Sequence, residues 1–204
     1  KEDSQIPVLT DPKSIMSEAM RRIRTNLGFI LPDNKQNTLL ITSGISGEGK
    51  TFVAVNLATI IAMSNKKVLL VGMDLRRPEL HKIFNLHNEK GISTYLIGKH
   101  TKQEIIQTTN ITNLQIILSG PIPPNPAELL ESEKLGTLLK ELKNDFDYVI
   151  IDSPPVALVT DSLLISKYAD ANIFIVRQKY TPKDVLLLID SLRKEKVCSH
   201  LSII

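Results

Sequence analysis

Apolar residues along this 204-residue chain collect in five short runs: Leu39–Ile41, Val68–Val71, Ile116–Leu118, Val149–Ile151 and Ile173–Val176. None alternates with polar positions, and each is closed by polar, Gly or Pro residues, which is the pattern of strands covered on both faces. Segments of helical character separate most of them: Lys50–Met63, Ser132–Lys143, Asp161–Tyr168 and Thr181–Lys194. A further helix is expected from about Ser14 to Leu27, after an N-terminal arm. Strand alternating with helix predicts an α/β fold, a parallel sheet with right-handed crossovers and helices on both faces. The last helix carries start signals: Thr181 as cap, Pro182 at the first helical position and Asp184 completing a capping box. The stretch Gly120–Pro126, GPIPPNP, is expected to be a stiff loop, because prolines fix the backbone and remove donors. The chain begins at Lys1 and stops inside HLSII, which reads as the start of a strand, so a fragment of something longer is expected.

Composition narrows the class. With 42% hydrophobic and 23% charged residues the chain is globular, with one substantial core. A net charge of +3 gives no ground for a nucleic-acid partner. The single cysteine, Cys198, excludes a disulfide framework and suits a reducing compartment. His81, His87, His100 and His200 lack metal-ligand spacing. No apolar run approaches the ~18 residues of a membrane-spanning helix.

The chemistry starts after the first strand. GISGEGKT, residues 44–51, satisfies G-x-x-x-x-G-K-S/T and opens the apolar helix that begins at Lys50. Gly44, Gly47 and Gly49 let successive backbone N–H groups turn inward around phosphate oxygens, and the helix N-terminus adds partial positive charge. The loop and its flanks, Ser46, Glu48 and Phe52 included, form the expected nucleotide-binding segment. Lys50 would reach the β- and γ-phosphates and the Thr51 hydroxyl would ligate Mg²⁺. Such a cradle needs an acid from a neighbouring strand. YVIIDSPP supplies Asp152, and VLLVGMDLRRP supplies Asp74; strand C-termini share one sheet edge, so both acids are expected beside Thr51. Lys50, Asp74 and Asp152 are the candidate catalytic residues, and Thr51, Asp74 and Asp152 the candidate metal ligands. Arg76 and Arg77 would meet either phosphate or an acid.

These motifs resemble those of the bacterial tyrosine kinases that control capsule and exopolysaccharide chain length. GISGEGKT is similar to their Walker A, LLVGMDLRRP to their second acidic motif and YVIIDSPP to their Walker B; GPIPPNPAELL resembles their proline-rich segment. Glu18, Arg21 and Arg24 fit an E-x-x-R-x-x-R motif used for subunit contacts in rings. The physical reading beside it is an apolar stripe of Met16, Met20, Ile23 and Leu27 holding the helix to its own sheet, next to a solvated ion-pair arc. The resemblance implies a P-loop NTPase-type fold, with residues 1–36 as arm and oligomerisation helix and 37–204 as the kinase domain. It implies ATP and Mg²⁺, autophosphorylation of a tyrosine-rich tail in a neighbouring subunit, and a transmembrane activator, fused or separate, on the cytoplasmic side of the bacterial membrane.

Two departures stand out. Tyr95, Tyr148, Tyr168 and Tyr180 are dispersed, so no acceptor cluster lies in this chain, and Tyr148 suits a core position. The second acidic motif usually reads D-x-D, but here Gly72 replaces the first acid. General-base assistance is typically worth about 10²- to 10⁴-fold, so an active but slower enzyme is expected, with Asp74 or Asp152 taking the proton. The rivals are a nucleotide-gated scaffold and a positioning ATPase of the MinD/ParA type. Ile45, where the latter carry a signature lysine, argues against them.

Overall fold

The computed structural model describes residues 5–31, 36–157, 160–195 and 201–204. Cys198, His200 and the first four residues of the arm lie outside them. The chain opens with α1 (Pro7–Thr10) and α2 (Ile15–Ile30), then β1 (Asn37–Ser43), α3 (Lys50–Ala62) and β2 (Val68–Gly72). Three single-turn helices follow, α4 (Leu80–Ile83), α5 (Ile92–Leu96) and α6 (Lys102–Ile105), leading to β3 (Ile106–Thr108) and β4 (Leu114–Ile117). The remainder comprises α7 (Pro126–Glu131), α8 (Glu133–Asp145), β5 (Tyr148–Asp152), α9 (Asp161–Ser166), β6 (Ala171–Ile175), α10 (Lys183–Lys194) and β7 (Leu201–Ile203).

Among the described residues the strands form one sheet in the order β3-β4-β2-β5-β1-β6-β7. The expected parallel sheet is present, and the one antiparallel pair among the described strands is β3 with β4 at its edge. An antiparallel edge strand on an otherwise parallel sheet is a frequent variation. The apolar runs are buried on both faces. Leu39, Ile41, Leu70, Ile116, Ile150 and Ile173 pack towards α3, and Leu40, Leu69, Val71, Ile117, Val149 and Ile151 towards α5 and α8. The continuous apolar character of α3 follows from its position, enclosed by the sheet on one side and by α1 and α2 on the other.

The N-terminal segment is anchored to this body. Val8 is fully buried, and Asn56 of α3 holds the arm by donating to the Gln5 carbonyl at 3.1 Å. In α2, Ser14 caps the first turn, and Met20 and Leu27 are buried against the core. Met16 departs from the predicted stripe: it is 43% exposed, because α2 lies on α3 instead of directly on the sheet. Thr181 also departs from its predicted role. It makes no cap for α10, and its hydroxyl turns to Glu48 of the phosphate loop.

Candidate active site

Register brings the acids together. Asp152 ends β5 level with Ile41 of β1 on one side and Gly72 of β2 on the other, so its carboxylate lies at the sheet edge from which residues 44–51 depart. The turn after it is fixed by Thr42 Oγ1, which donates to the Pro154 carbonyl at 2.8 Å, and by the Ser162 hydroxyl on the same oxygen. Asp74 lies two residues beyond the end of β2. Its Oδ1 accepts the backbone N–H groups of Arg76 at 3.2 Å and Arg77 at 2.9 Å, a local turn that sets the carboxylate in place.

The phosphate loop needs its glycines for different reasons. Gly47 and Gly49 have φ of +87° and +96°, the left-handed region that suits a residue without Cβ. Gly44 serves packing: an added Cβ would come 1.9 Å from Val185 Cγ1 on α10. Glu48 is buried and braces the loop by accepting the Ile45 N–H at 2.8 Å. A cavity of about 450 Å³ is walled by Ser46, Gly47, Gly49, Lys50, Thr51, Phe52, Asp74, Arg76, Arg77, Glu79, Pro154 and Pro155, among others. The predicted nucleotide residues thus divide. Gly44 and Glu48 shape the loop from outside this wall, and the others line it.

Lys50, Thr51, Asp74 and Asp152 form one charged cluster. Lys50 Nζ lies 3.3 Å from Asp74 Oδ2 and 3.6 Å from Asp152 Oδ1, and Thr51 Oγ1 donates to Asp152 Oδ2 at 2.8 Å. Burial weakens the Lys50 ammonium, but Asp152 and Asp74 outweigh it and hold its pKa above the ordinary lysine value. Burial dominates at Asp152: it pushes the carboxyl up to about 6, against the opposing pull of Lys50 and the Thr51 hydroxyl, with Asp74 adding to the rise. Asp152 Oδ1 accepts no hydrogen bond although it is buried. A carboxylate oxygen left in that state, beside a hydroxyl and a second acid, fits a divalent cation. The left-handed glycines and the start of α3 fit the phosphates of a nucleotide. Thr51, Asp152 and Asp74 would hold Mg²⁺, and Lys50 would exchange the two acids for phosphate oxygens.

The arginines take different partners. Arg76 makes a two-pronged ion pair with the fully buried Asp161, Nε to Oδ2 at 2.8 Å and Nη2 to Oδ1 at 3.1 Å, so it is a structural brace. Arg77 is exposed at the cavity wall. Position 72 is closed. A Cβ there would meet Ser119 Oγ at 2.9 Å and Leu80 Cδ1 at 3.2 Å, and Ser119 Oγ donates to the Gly72 carbonyl at 3.0 Å. Sequence reasoning missed Glu79 in the wall and the turn 177–181, whose side chains grip the phosphate loop. Neither carries a local motif.

Residues 36–194 match the AAA domain family. The tyrosine-protein kinase YwqD of Bacillus subtilis is 40% identical over 176 residues, 86% of this chain and 74% of that protein. The chain belongs to the bacterial tyrosine kinase family. The tyrosine-protein kinase ptk of Acinetobacter johnsonii is also 40% identical, across 89% of this chain, but the match spans only 25% of that longer relative. Among solved structures, the kinase domain of the Escherichia coli tyrosine kinase ETK superposes with a TM-score of 0.91 at 31% identity, covering 100% of this chain and 81% of that one. The cell-division ATPase MinD of Pyrococcus furiosus, at 22% identity and a TM-score of 0.70, shares the fold. The P-loop NTPase-type architecture read from the motifs is the one these bacterial tyrosine kinases have.

Proposed function

We propose that this chain is an ATP- and Mg²⁺-dependent protein tyrosine kinase domain that acts in capsular or exopolysaccharide biosynthesis and export. The observation that carries the reading is Lys50 poised between Asp74 and Asp152 beneath a glycine cradle, in a chain of this family. Phosphoryl transfer needs positioning and charge stabilisation more than covalent help. Backbone N–H groups of 47–51 and the start of α3 orient the phosphates, and Lys50 follows the charge that develops on the transferred group. Mg²⁺, when bound, supplies positive charge that screens the phosphates for attack. Asp74, in the cavity wall, or Asp152 beside it takes the proton of the acceptor phenol, directly or through water.

Gly72 makes the test specific. Radiolabelled transfer from γ-labelled ATP to a tyrosine peptide should occur in the parent. Gly72→Asp alone would force aside Ser119, so the informative variant is Gly72→Asp with Ser119→Ala, expected to be faster by up to the ~10²- to 10⁴-fold of a general base. A silent parent with strong labelling by the double variant would mean that the parent is a nucleotide-gated scaffold.

The same reading takes α2 as the surface of a homo-oligomeric ring. Arg21 pairs with Glu18 at 2.9 Å and donates to the Pro12 carbonyl, while Arg24 Nη1 reaches the Ile60 carbonyl at 3.3 Å. Their own chain thus pre-sets the guanidinium groups. Ile15 and Phe29, 92% and 84% exposed, lie on the same helix and give a partner apolar surface. The acceptors would be the tyrosine-rich tail of a neighbouring subunit, and the activator a transmembrane partner. That would place the chain at the cytoplasmic side of the membrane. No helix among the described residues is long and apolar enough to cross a membrane.

A further inference from the structure

The turn after β6 grips the phosphate loop from outside the cavity. Tyr180 Oη donates to the Ser46 carbonyl at 3.0 Å, Arg177 Nη1 donates to the Gly47 carbonyl at 3.1 Å, and Thr181 donates to Glu48, which in turn holds the Ile45 N–H. The Arg177 guanidinium sits 5.1 Å from the centroid of the Tyr180 ring. The grip is close enough that a Cβ on Gly47 would approach Tyr180 Oη to 2.7 Å. Tyr180 is 46% exposed, whereas Tyr95, Tyr148 and Tyr168 are half-buried. We propose that Tyr180 is a phosphoacceptor, modified by a second copy of this chain, and that its phosphorylation loosens the phosphate loop and weakens nucleotide binding.

This rests on the kinase reading. Tyr180 is absent from the cavity wall and its oxygen faces the outer side of the loop, on the Ser46 carbonyl, which is why the donor is a second copy. In the transfer, the bond from Pγ to the bridging β–γ oxygen of ATP breaks, a bond from Tyr180 Oη to Pγ forms, and ADP leaves. The phenol proton passes to a carboxylate of the donor copy or to water. The ester oxygen can no longer donate to Ser46, and the new charge of about −2 repels that carbonyl and the phosphates of an incoming nucleotide. Arg177, already stacked on the ring, gains a charge-assisted, two-pronged partner in place of the neutral Gly47 carbonyl. Both carbonyl tethers are lost in one event, and Thr181–Glu48 alone remains.

The test has two arms. The protein is incubated with Mg·ATP and a tyrosine peptide, and its phosphotyrosines are mapped by mass spectrometry. Separately, protein carrying phosphotyrosine at 180, introduced during translation, is titrated with a fluorescent ATP analogue beside the parent and Tyr180→Phe. Phosphate is expected at Tyr180, with nucleotide affinity at least tenfold weaker for the phosphoprotein and within about threefold of the parent for Tyr180→Phe, which loses one neutral hydrogen bond. Phosphate on the peptide but never on Tyr180, or an unchanged affinity of the phosphoprotein, would overturn the proposal and leave the kinase reading intact. No phosphate on any tyrosine would overturn both.

Discussion

Consider Asp152→Asn in the protein without nucleotide or Mg²⁺. The folded carboxyl has a pKa of about 6, against an ordinary value of 3.8, because burial penalises its charge. The folded protein therefore holds this proton more tightly than the unfolded chain does. The stabilising contribution is fully present below pH 3.8 and is lost as pH rises through about 6. At about 1.4 kcal/mol per pH unit, the gap corresponds to about 3 kcal/mol of stability lost before neutral pH. Asparagine keeps the shape and carries no charge, so the variant escapes this loss. Its amide faces Lys50 without an ion pair, which reduces the gain to about 1 to 3 kcal/mol near neutral pH. Urea denaturation of parent and variant over a pH series measures the difference directly. The variant should be the more stable at pH 7.5 and the two should converge towards about pH 4, while phosphotransfer disappears in the variant at every pH. A stability difference independent of pH, or a parent that is the more stable at neutral pH, would show that burial does not raise the Asp152 carboxyl.

Further outcomes follow from the same contacts. Gly44→Ala should destabilise the protein by about 1 to 3 kcal/mol through its clash with Val185, and Val185→Ala should restore most of that loss in thermal melts, since the glycine is there for packing. Arg76→Ala strands the buried Asp161 charge and should cost about 1 to 3 kcal/mol, discounted because Arg76 is itself part-exposed; adding Asp161→Asn should recover much of it in a double-mutant cycle. Lys50→Met should abolish phosphotransfer and leave the two acids facing each other, so that the parent's tolerance of pH 7 and above in denaturation curves is reduced in the variant.

What was legible in the sequence was what is local. The phosphate loop is eight contiguous residues, Asp74 and Asp152 end continuous apolar runs, and parallel strands deliver both to one edge without any contact having to be known. Where an outcome depends on residues far apart, local signals failed or gave the wrong partner. Thr181 has the residue type of a helix cap, yet Glu48, 133 positions away, takes its hydroxyl, because a buried carboxylate rewards a donor more than an exposed helix end does. Met16 obeys the helical period but is 43% exposed, because α2 packs on α3 and not directly on the sheet. β3 is three residues long and partly polar, too brief to show periodicity, and its antiparallel direction is set by pairing with β4. Gly72 was visible as a missing acid, but only packing shows that Ser119 and Leu80 fill the space where its side chain would stand.

Whether this cluster hands the γ-phosphoryl group to tyrosine or to water is decided by the ratio of products. With Mg·ATP and an excess of tyrosine peptide, phosphotyrosine and inorganic phosphate are counted against the ADP released, in the parent and in Lys50→Met. Phosphotyrosine should match ADP in the parent, and neither should form in the variant. ADP matched by inorganic phosphate alone, with no phosphotyrosine, would contradict transfer to tyrosine and make the site that of a nucleotide-hydrolysing switch.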